Sequence, residues 1–278
     1  MLYKTLYTGE KIPVIGQGTW GLGGGMSPDY SNDQLAIEAI RSAIELGYTL
    51  IDTAEMYGGG HTEELVGAVI RDFKREDLII TSKVWHITMN YRDTLKAIEG
   101  SLKRLGTDYL DLYLIHRPNH DIPLEETFRA LNELVDQGKV RHLGVSNFDL
   151  KQMQRAQALC NTPLVTNQVP YNLHQRVYAT NGVLEYCQAN QILLTAYSPI
   201  ERGYLVKDAT VGRIAEKCGA TPAQIALHWL IRQPNVIALP MSTRAEHQRE
   251  NLGALDLDLS DEDLEALDHI ELSEEALW

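Results

Sequence analysis

The organisation of this chain follows from one segment, Ile51-Asp52-Thr53-Ala54-Glu55-Met56-Tyr57-Gly58. The apolar run from Tyr48 to Ile51 predicts a buried strand, and a carboxylate at the end of such a strand does not serve packing. Tyr57 follows Asp52 by five positions, and the glycines at 58–60 predict a hinge before a helix. We therefore expect this segment to bring a carboxylate and a phenol to the end of one strand.

Two later apolar runs also end on ionisable side chains. Residues 78–82 precede Lys83, and residues 110–115 precede His116. Along the whole chain, eight such apolar runs alternate with segments of helical periodicity, and short loops rich in turn-forming residues join them. This alternation predicts a parallel sheet covered by helices.

Eight strand–helix units favour a closed α/β barrel, a (β/α)8 TIM barrel, with extra short helices near the C-terminal half. We expect residues 1–278 to form a single domain that starts with a small hairpin. An open, doubly wound parallel sheet is the alternative. Ser31 with Gln34, and Thr221 with Gln224, have the spacing of capping boxes that begin helices. Residues 178–189 are expected to form one helix.

The composition is that of a soluble globular protein, with 44% hydrophobic and 23% charged residues. The formal net charge of −13 argues against nucleic acid or an anionic membrane as the main partner, because both favour a basic surface. The three cysteines are far apart and predict neither a disulfide framework nor a zinc site. No segment resembles a signal peptide or a membrane span. We expect a cytoplasmic protein without a bound metal, as a monomer or weak oligomer.

The predicted barrel collects polar side chains at one end, because active sites of this fold form at the C-terminal ends of the strands. Taken singly, each has an ordinary explanation: His116 as a structural histidine, Lys83 as a surface lysine, and Asp52 as a cap or loop acceptor. The joint pattern is harder to explain by packing alone. The strand-end residues are Asp52, Lys83, His116, Asn147, Gln168, Tyr197 and Ser242.

Three of these side chains, Asp52, Lys83 and His116, together with Tyr57 suggest acid catalysis. A phenol has an ordinary pKa of about 10, and we expect a nearby ammonium from Lys83 to lower the pKa of Tyr57. A carboxylate from Asp52 would hold that ammonium in place and charged. His116 would orient a carbonyl oxygen by hydrogen bonding. Such a group of residues can protonate an alkoxide as it forms.

A dinucleotide-binding fingerprint is present by spacing only, in Gly16-x-Gly18-x-x-Gly21. That fingerprint requires a helix immediately after the glycines, so that the helix N-terminus meets the pyrophosphate. Here more glycines and Pro28 follow, and the first predicted helix begins near Ser31. We therefore do not expect a Rossmann domain.

The chain resembles the aldo-keto reductases over nearly its whole length. The resemblance lies in many motifs in the right order: Gly18-Thr19-Trp20, Asp52-Thr53-Ala54-x-x-Tyr57-Gly58, Thr81-Ser82-Lys83-Val84-Trp85, the run from Ser101 to His116, Gly138-Lys139-Val140-Arg141-x-x-Gly144-Val145-Ser146-Asn147-Phe148, Asn167-Gln168-Val169-x-Tyr171-Asn172 and Ala196-Tyr197-Ser198-Pro199.

The resemblance implies a barrel that binds extended NADPH across its rim. Asp52, Tyr57, Lys83 and His116 match the catalytic tetrad of the family, with Tyr57 as proton donor. The implied cofactor contacts fall into three groups. Ser146, Asn147, Gln168 and Tyr197 match the nicotinamide site; Ser198, Pro199, Ile200, Arg202 and Leu205 match the pyrophosphate site; and Ser242, Arg244, Gln248 and Asn251 match the adenosine and 2′-phosphate site. Gly18, Thr19, Trp20, Asp52 and Pro240 complete the expected cofactor-binding set.

Several positions depart from the family pattern. Met241 stands where many members carry lysine, and His247 stands where they often carry arginine, so Arg244 is expected to supply the missing charge. NADPH is therefore the expected cofactor, with NADH as the alternative. The expected substrate pocket contains Trp20, Tyr57, Trp85, His116 and Arg117, of which the two tryptophans have core packing as their alternative role. The short tail after Ile270 suggests an open site.

The sequence thus predicts an oxidoreductase that reduces the aldehyde or ketone group of a small molecule with NADPH. Two alternatives remain at this point. One is a regulatory barrel that binds the cofactor with little turnover, and the intact tetrad argues against it. The other is a metal-dependent barrel hydrolase using Asp52 and His116, against which there are too few histidines and carboxylates at strand ends.

Overall fold

The strands form a closed parallel barrel in the computed structural model, which describes residues 1–272 except the side chains of Arg202 and Val206. Each strand pairs with the next along the chain. The bounds are β3 (Gln17–Gly18), β4 (Leu50–Asp52), β5 (Ile79–Val84), β6 (Leu110–Ile115), β7 (Val140–Ser146), β8 (Thr166–Pro170), β9 (Leu193–Tyr197) and β10 (Val236–Leu239). A two-stranded hairpin, β1 (Tyr3–Thr5) and β2 (Lys11–Pro13), precedes them.

The first and last barrel strands close the ring by backbone contacts. Ile15 and Ala238 form a parallel bridge, and Gly16 N donates to Ala238 O at 3.0 Å. Gly18 N donates to Pro240 O at the same distance. The open-sheet alternative is therefore excluded, and the (β/α)8 barrel prediction is confirmed.

Helices follow the barrel strands along the chain, and most of them bury one face. Their bounds are α1 (Asp33–Glu45), α2 (His61–Ile70), α3 (Tyr91–Leu105), α4 (Leu124–Asp136), α5 (Leu150–Leu159), α6 (Val177–Thr180), α7 (Val183–Ala189), α8 (Ala209–Cys218), α9 (Pro222–Ile231), α10 (Ala245–Leu252) and α11 (Asp261–Asp268). The longest 3₁₀ segment, Glu201–Lys207, and a further one at Gly253–Asp256 lie in the C-terminal half, as expected. Within residues 1–272, no helix has the length and apolar character needed to cross a membrane.

Local sequence signals set most helix boundaries. Thr221 and Gln224 form the predicted capping box, with both reciprocal hydrogen bonds present. The box predicted at Ser31 is wrong: α1 begins after Asn32, whose side chain makes no capping hydrogen bond, because the Ser31 amide is used by Asp29. The single helix predicted for 178–189 is also wrong, since Gly182, at φ 87°, separates α6 from α7.

The barrel strands are buried on both faces. All six residues of β6 are buried, and α4 covers that region of the sheet with Phe128, Leu131 and Leu134, each nearly inaccessible. Burial on both faces is the pattern that a parallel sheet under helices requires. The strand ends therefore project from a close-packed core, which fixes the positions of the side chains that follow them.

Candidate active site

Three neighbouring strands bring Asp52, Lys83 and His116 to the same end of the barrel. β4 ends at Asp52, Lys83 lies next to the end of β5, and His116 directly follows β6. Lys83 is fully buried, at 0% exposure, so it is not a surface lysine. Asp52 caps no helix; its side chain receives hydrogen bonds from Lys83 and Gln168. The barrel thus assembles an ionisable cluster in its interior.

The Lys83 ammonium has three oxygen partners that account for its three donors. Nζ lies 2.6 Å from Asp52 Oδ1, 2.9 Å from the Thr53 carbonyl oxygen and 3.1 Å from Tyr57 Oη. The second oxygen of Asp52 accepts from Gln168 Nε2 at 2.8 Å. A buried ion pair is stable only when its remaining polar atoms are also satisfied, and this pair meets that condition.

Tyr57 reaches the cluster because the chain turns sharply after it. Gly58, Gly59 and Gly60 all have positive φ, at 56°, 60° and 100°, which favours glycine at each position. A Cβ on Gly58 would lie 2.5 Å from the carbonyl oxygen of Gly23, so a side chain does not fit there. The glycine hinge predicted from the sequence therefore exists, and α2 begins directly after it.

Burial dominates the electrostatics of the phenol. Burial raises the pKa of Tyr57, the charge of Lys83 lowers it, and Asp52 raises it again, so the net pKa lies above its ordinary value. The expectation of a lowered pKa is therefore wrong for the free protein, because desolvation outweighs the ammonium. For Lys83, burial acts to lower the pKa, but Asp52 and Tyr57 outweigh it and the pKa is raised. The phenol is protonated and the lysine is charged.

His116 is a neutral imidazole beside the phenol. Burial, followed by the charges of Lys83, Arg117 and His86, holds its pKa well below the ordinary value. Its ring contacts Tyr57 edge-on, with centroids 5.6 Å apart. Nδ1 is buried and has no hydrogen-bond partner among residues 1–272. A buried N–H without an acceptor is costly, so the proton belongs on Nε2, which can donate to a molecule in the adjacent cleft.

A cleft of about 730 Å³ opens over this cluster. Its floor and walls include most of the side chains that the sequence indicated. Asp52, Tyr57, His116 and Arg117 line it at one end. Met241, which follows β10, and His247, on α10, also line it. The other lining residues that the sequence indicated are Gly18, Thr19, Trp20, Ser146, Asn147, Gln168, Tyr197, Ser198, Pro199 and Ile200.

An amide and hydroxyl cluster lies in the middle of the cleft. Asn147 has a positive φ of 62° and its Nδ2 donates to the His116 carbonyl oxygen and to Ser146 Oγ, both at 3.0 Å. Tyr197 Oη donates to Asn147 Oδ1 at 2.9 Å. Ser146 Oγ in turn donates to the Gln168 carbonyl oxygen at 2.7 Å. The network ties the ends of four strands together and holds the Tyr197 ring at the cleft surface.

A model described as the Aldo/keto reductase family matches residues 14–272. This chain is an aldo/keto reductase. It is 39% identical over 263 residues to the methylglyoxal reductase YeaE of Escherichia coli, which covers 92% of this chain and 90% of that protein. It is 36% identical over 271 residues to the glyoxal reductase of Bacillus subtilis, with coverages of 97% and 92%.

Solved structures agree with the family assignment. The thermostable aldo-keto reductase Tm1743, in complex with the inhibitor epalrestat, has a TM-score of 0.94 at 52% identity, over 96% of this chain and 99% of that one. An aldo-keto reductase from Klebsiella pneumoniae in complex with NADPH has a TM-score of 0.89 at 38% identity, over 99% and 98%. The family and oxidoreductase class predicted from the sequence are thus confirmed.

The Gly16-x-Gly18-x-x-Gly21 motif does not form a nucleotide-binding turn in this reductase. Gly16 and Gly18 belong to the closure of the barrel, Gly21 lies in a turn at φ 90°, and the first helix of the described chain begins at Asp33. Without a helix N-terminus after the glycines, the motif lacks the anion-binding element it needs. The sequence-based rejection of a Rossmann fold is confirmed.

Two tryptophans that had core packing as their alternative role lie beside the catalytic side chains of the reductase. Trp20 is 37% exposed and its ring contacts that of Tyr57 at 4.9 Å. Trp85 is half-buried and contacts His116 at 4.9 Å. Neither fills the core, but only Trp20 lines the cleft, whereas Trp85 lies behind it against His116. The last predicted pocket residue, Arg117, is exposed at the mouth.

The residues predicted for the adenosine site differ in burial: some are exposed and others lie in the interior. Arg244 is exposed and within hydrogen-bond reach of the His247 ring. Gln248 is fully buried, with its amide bonded to Ser42 Oγ and to the carbonyl oxygens of Ala39 and Ser242. Asn251 is also buried, and Ser242 bonds to the backbone of Arg244. The geometry thus leaves Arg244 and His247 facing solvent, whereas Gln248 fixes α10 against α1.

The segment after β9 contains two further predicted cofactor residues, Arg202 and Leu205. Leu205 is fully buried in the hydrophobic core, so its side chain packs and only its backbone could meet a ligand. The side chain of Arg202 lies outside the described part of the chain. Pro240 is buried, and its carbonyl oxygen is the acceptor that closes the barrel.

Sequence reasoning missed several residues around the cleft. Gly21, Met56, Gly203 and Leu239 line it without having been assigned a role. Glu55 is the clearest omission: its Oε1 accepts from the Trp85 amide and from Thr88 Oγ1 at 2.9 Å, which fixes the loop that carries Trp85. Its place between Asp52 and Tyr57 was the available signal, since a carboxylate in a buried motif must have partners.

Proposed function

We propose that this enzyme reduces small aldehydes and ketones with NADPH, and that Tyr57 is the proton donor. One observation carries the proposal: a protonated phenol lies 3.1 Å from a buried, charged lysine and borders a cleft next to a neutral histidine. This arrangement can give up a proton and stabilise the oxygen that gave it.

The reaction follows from the state of each side chain. His116 donates a hydrogen bond from Nε2 to the carbonyl oxygen of the substrate and so orients it. Tyr57 transfers its proton to that oxygen as negative charge develops there. Lys83 stabilises the resulting phenolate across the 3.1 Å contact, and Asp52 keeps Lys83 charged and in place.

The cleft fits the proposed cofactor in size and chemistry. When bound, NADPH supplies the hydride that the carbonyl carbon accepts. Ser146, Asn147 and Gln168 provide hydroxyl and amide groups suited to a carboxamide, and Tyr197 provides an aromatic face. Gly18 and Gly203 leave room at the walls, and Arg244 provides a cation beyond them. Two similar structures from Klebsiella pneumoniae hold NADP or NADPH.

The proposed substrate class is short, reactive carbonyl compounds. The relatives named as methylglyoxal and glyoxal reductases act on 2-oxoaldehydes by name. Near Tyr57 the cleft is lined by the Trp20 ring and by the charged Arg117, which suits a small, polar molecule. We further propose that residues 1–278 form one catalytic domain. The cytoplasmic location and the monomeric or weakly associating state remain predictions.

The first experiment is a titration of the purified protein with NADPH and with NADH, followed by tryptophan fluorescence. Trp20 lies in the cleft, so its fluorescence should report cofactor binding. We expect NADPH to quench this fluorescence at a lower concentration than NADH, because Arg244 is proposed to bind the 2′-phosphate that only NADPH carries. A panel containing methylglyoxal, glyoxal and a simple ketone then measures NADPH consumption. No binding of either cofactor would overturn the proposal, and tight binding without turnover of any carbonyl would favour a regulatory barrel instead.

A further inference from the structure

The wall of the cleft formed by residues 198–208 is held in an unfavourable backbone conformation. Ser198, Pro199, Ile200 and Gly203 line the cleft. Ser198 and Glu201 are not glycines, yet they have positive φ angles of 51° and 48°. Such conformations cost energy and persist only where surrounding contacts impose them. Something outside the segment must therefore hold it.

The loop after β8 provides those contacts. Asn172 Nδ2 donates to the Ser198 carbonyl oxygen at 3.1 Å, which fixes the start of the segment. His174 Nδ1 lies 2.8 Å from both carboxylate oxygens of Glu201, and its Nε2 lies 3.2 Å from Asp208 Oδ2. The loop itself is rigid, because Asn172 Oδ1 accepts from the amides of His174 and Gln175. His174 thus joins the middle of the segment to its end.

Both ring nitrogens of His174 face a carboxylate, which decides its charge. A neutral imidazole has one N–H and can serve only one of the two acids, so the other would meet a lone pair. Glu201 is 4% exposed, and an unpaired carboxylate at such a site is strongly unfavourable. Only the doubly protonated imidazolium satisfies both partners. Glu201 and Asp208 are the titratable groups that face the ring in the described chain.

We propose that His174 is a positioning residue whose imidazolium holds the cleft wall at residues 198–208, so that NADPH affinity falls as this histidine loses its proton. The proposal rests on the proposed function, because it assigns that wall to the bound cofactor. It gives a role to a histidine that touches neither the cleft nor the catalytic cluster.

The direction of the pH effect follows from the partners. Burial lowers the pKa of His174, but the hydrogen bonds and charges of Glu201 and Asp208 outweigh it, so the pKa is raised above 6.5. The contacts of the His174 imidazolium with Glu201 and Asp208 are therefore fully formed below about pH 6.5, the ordinary pKa of histidine. They are lost as pH rises through the raised pKa of His174. Asp208 stays ionised throughout: burial raises its pKa, but the amides of Val211 and Thr210 and the His174 ring outweigh this and lower it.

The test measures the dissociation constant of NADPH from pH 6 to pH 9, at fixed ionic strength, for wild type and for His174→Gln. Glutamine donates hydrogen bonds but has no charge at any pH. We expect about tenfold weaker NADPH binding by the variant at pH 6, narrowing to about twofold at pH 9. Protonation of the cofactor phosphate affects both proteins and therefore cancels when the dissociation constant of the variant is divided by that of wild type.

Two further variants sharpen the result. His269→Gln makes the same substitution at an exposed histidine that ends α11 and does not line the cleft, so its dissociation constant for NADPH should stay close to that of wild type at every pH. Glu201→Gln keeps the shape of the acid that contacts His174 and should also weaken NADPH binding at pH 6. It provides the test should His174→Gln not fold.

The possible outcomes separate this proposal from the proposed function. If the dissociation constant of His174→Gln for NADPH, divided by that of wild type, is constant with pH, or if the two proteins bind NADPH equally, the role of His174 is overturned. The reductase assignment would remain intact. If wild type binds no NADPH at any pH, the proposed function fails and the role of His174 fails with it. If the difference in NADPH affinity between His174→Gln and wild type becomes smaller as pH rises, both the proposed function and the role of His174 are supported.

Discussion

The two ends of the cleft are built in different ways. At the catalytic end, Asp52, Tyr57 and Lys83 are buried and joined by hydrogen bonds of 2.6 and 3.1 Å. At the other end, Arg244 is exposed and contacts mainly the ring of His247. Burial fixes the geometry and protonation of the first group, whereas solvent screens the charge of the second. Changes at the catalytic end should therefore have far larger effects.

Tyr57→Phe should have the largest effect. Phenylalanine retains the ring that contacts Trp20 and His116 and removes only the oxygen that accepts from Lys83. We expect kcat to fall on the order of 10³-fold, because the proton donor is lost, while the Kd for NADPH stays within about twofold. Steady-state assays with methylglyoxal and a fluorescence titration measure the two quantities.

Tyr3→Phe is the matched control, since Tyr3 is exposed in the N-terminal hairpin outside the cleft. It should leave both constants unchanged. Loss of NADPH binding in Tyr57→Phe would mean that the phenol holds the cofactor, which would contradict its assignment as proton donor.

Lys83→Met should reduce turnover by a smaller factor, on the order of 10²-fold, because the proton donor remains but its phenolate is no longer stabilised. The variant also leaves Asp52 buried with Gln168 as its remaining side-chain partner. Breaking a buried ion pair by removing one member destabilises a protein by about 3–5 kcal/mol. Urea unfolding and single-turnover assays measure the two effects.

The double variant Asp52→Asn with Lys83→Met separates stability from catalysis. It removes both charges, so most of the lost stability should return while turnover stays low. Near-normal turnover in either variant would show that another group stabilises the phenolate, and equal instability of both would show that the ion pair is not the cause.

The two ends of the cleft also differ in how much of their structure could be predicted from the sequence. Asp52, Lys83 and His116 follow apolar strands, and a parallel barrel places all strand ends together, so local pattern was enough to find them. The net pKa of Tyr57 was mispredicted because it depends on how much burial outweighs one ammonium, a three-dimensional quantity. The alternation of strands and helices was predictable because it is a local signal, whereas closure of the barrel depends on contacts between Ile15 and Ala238, which are far apart in sequence.

At the far end, pattern alone could not assign roles. Gln248 lies next to the half-buried His247 in sequence, yet it is fully buried because α1 approaches it and Ser42 bonds to its side chain. Leu205 follows a cofactor-like motif but packs into the core. Such roles depend on contacts between residues distant in sequence, and a helix or loop residue can face either way until those contacts form.

Arg244→Ala should have the smallest effect and tests the exposed end directly. Arg244 is the exposed cation that the sequence offered in place of the lysine missing at Met241. An exposed charge-assisted contact with a phosphate contributes modestly, so we expect the Kd for NADPH to rise about tenfold and that for NADH to change less than twofold. Raising the salt concentration should shrink the difference, because the site is open to solvent.

Arg249→Ala is the matched control for that measurement. Arg249 is also exposed and lies on the same helix, but it borders a separate depression together with Met1 and Leu46 rather than the cleft. It should alter neither dissociation constant. Equal weakening of NADPH and NADH by Arg244→Ala would remove Arg244 from the 2′-phosphate site and leave His247, which lines the cleft, as the next candidate. In that case a half-buried ring that lines the cleft, rather than the exposed guanidinium, would discriminate between the two cofactors.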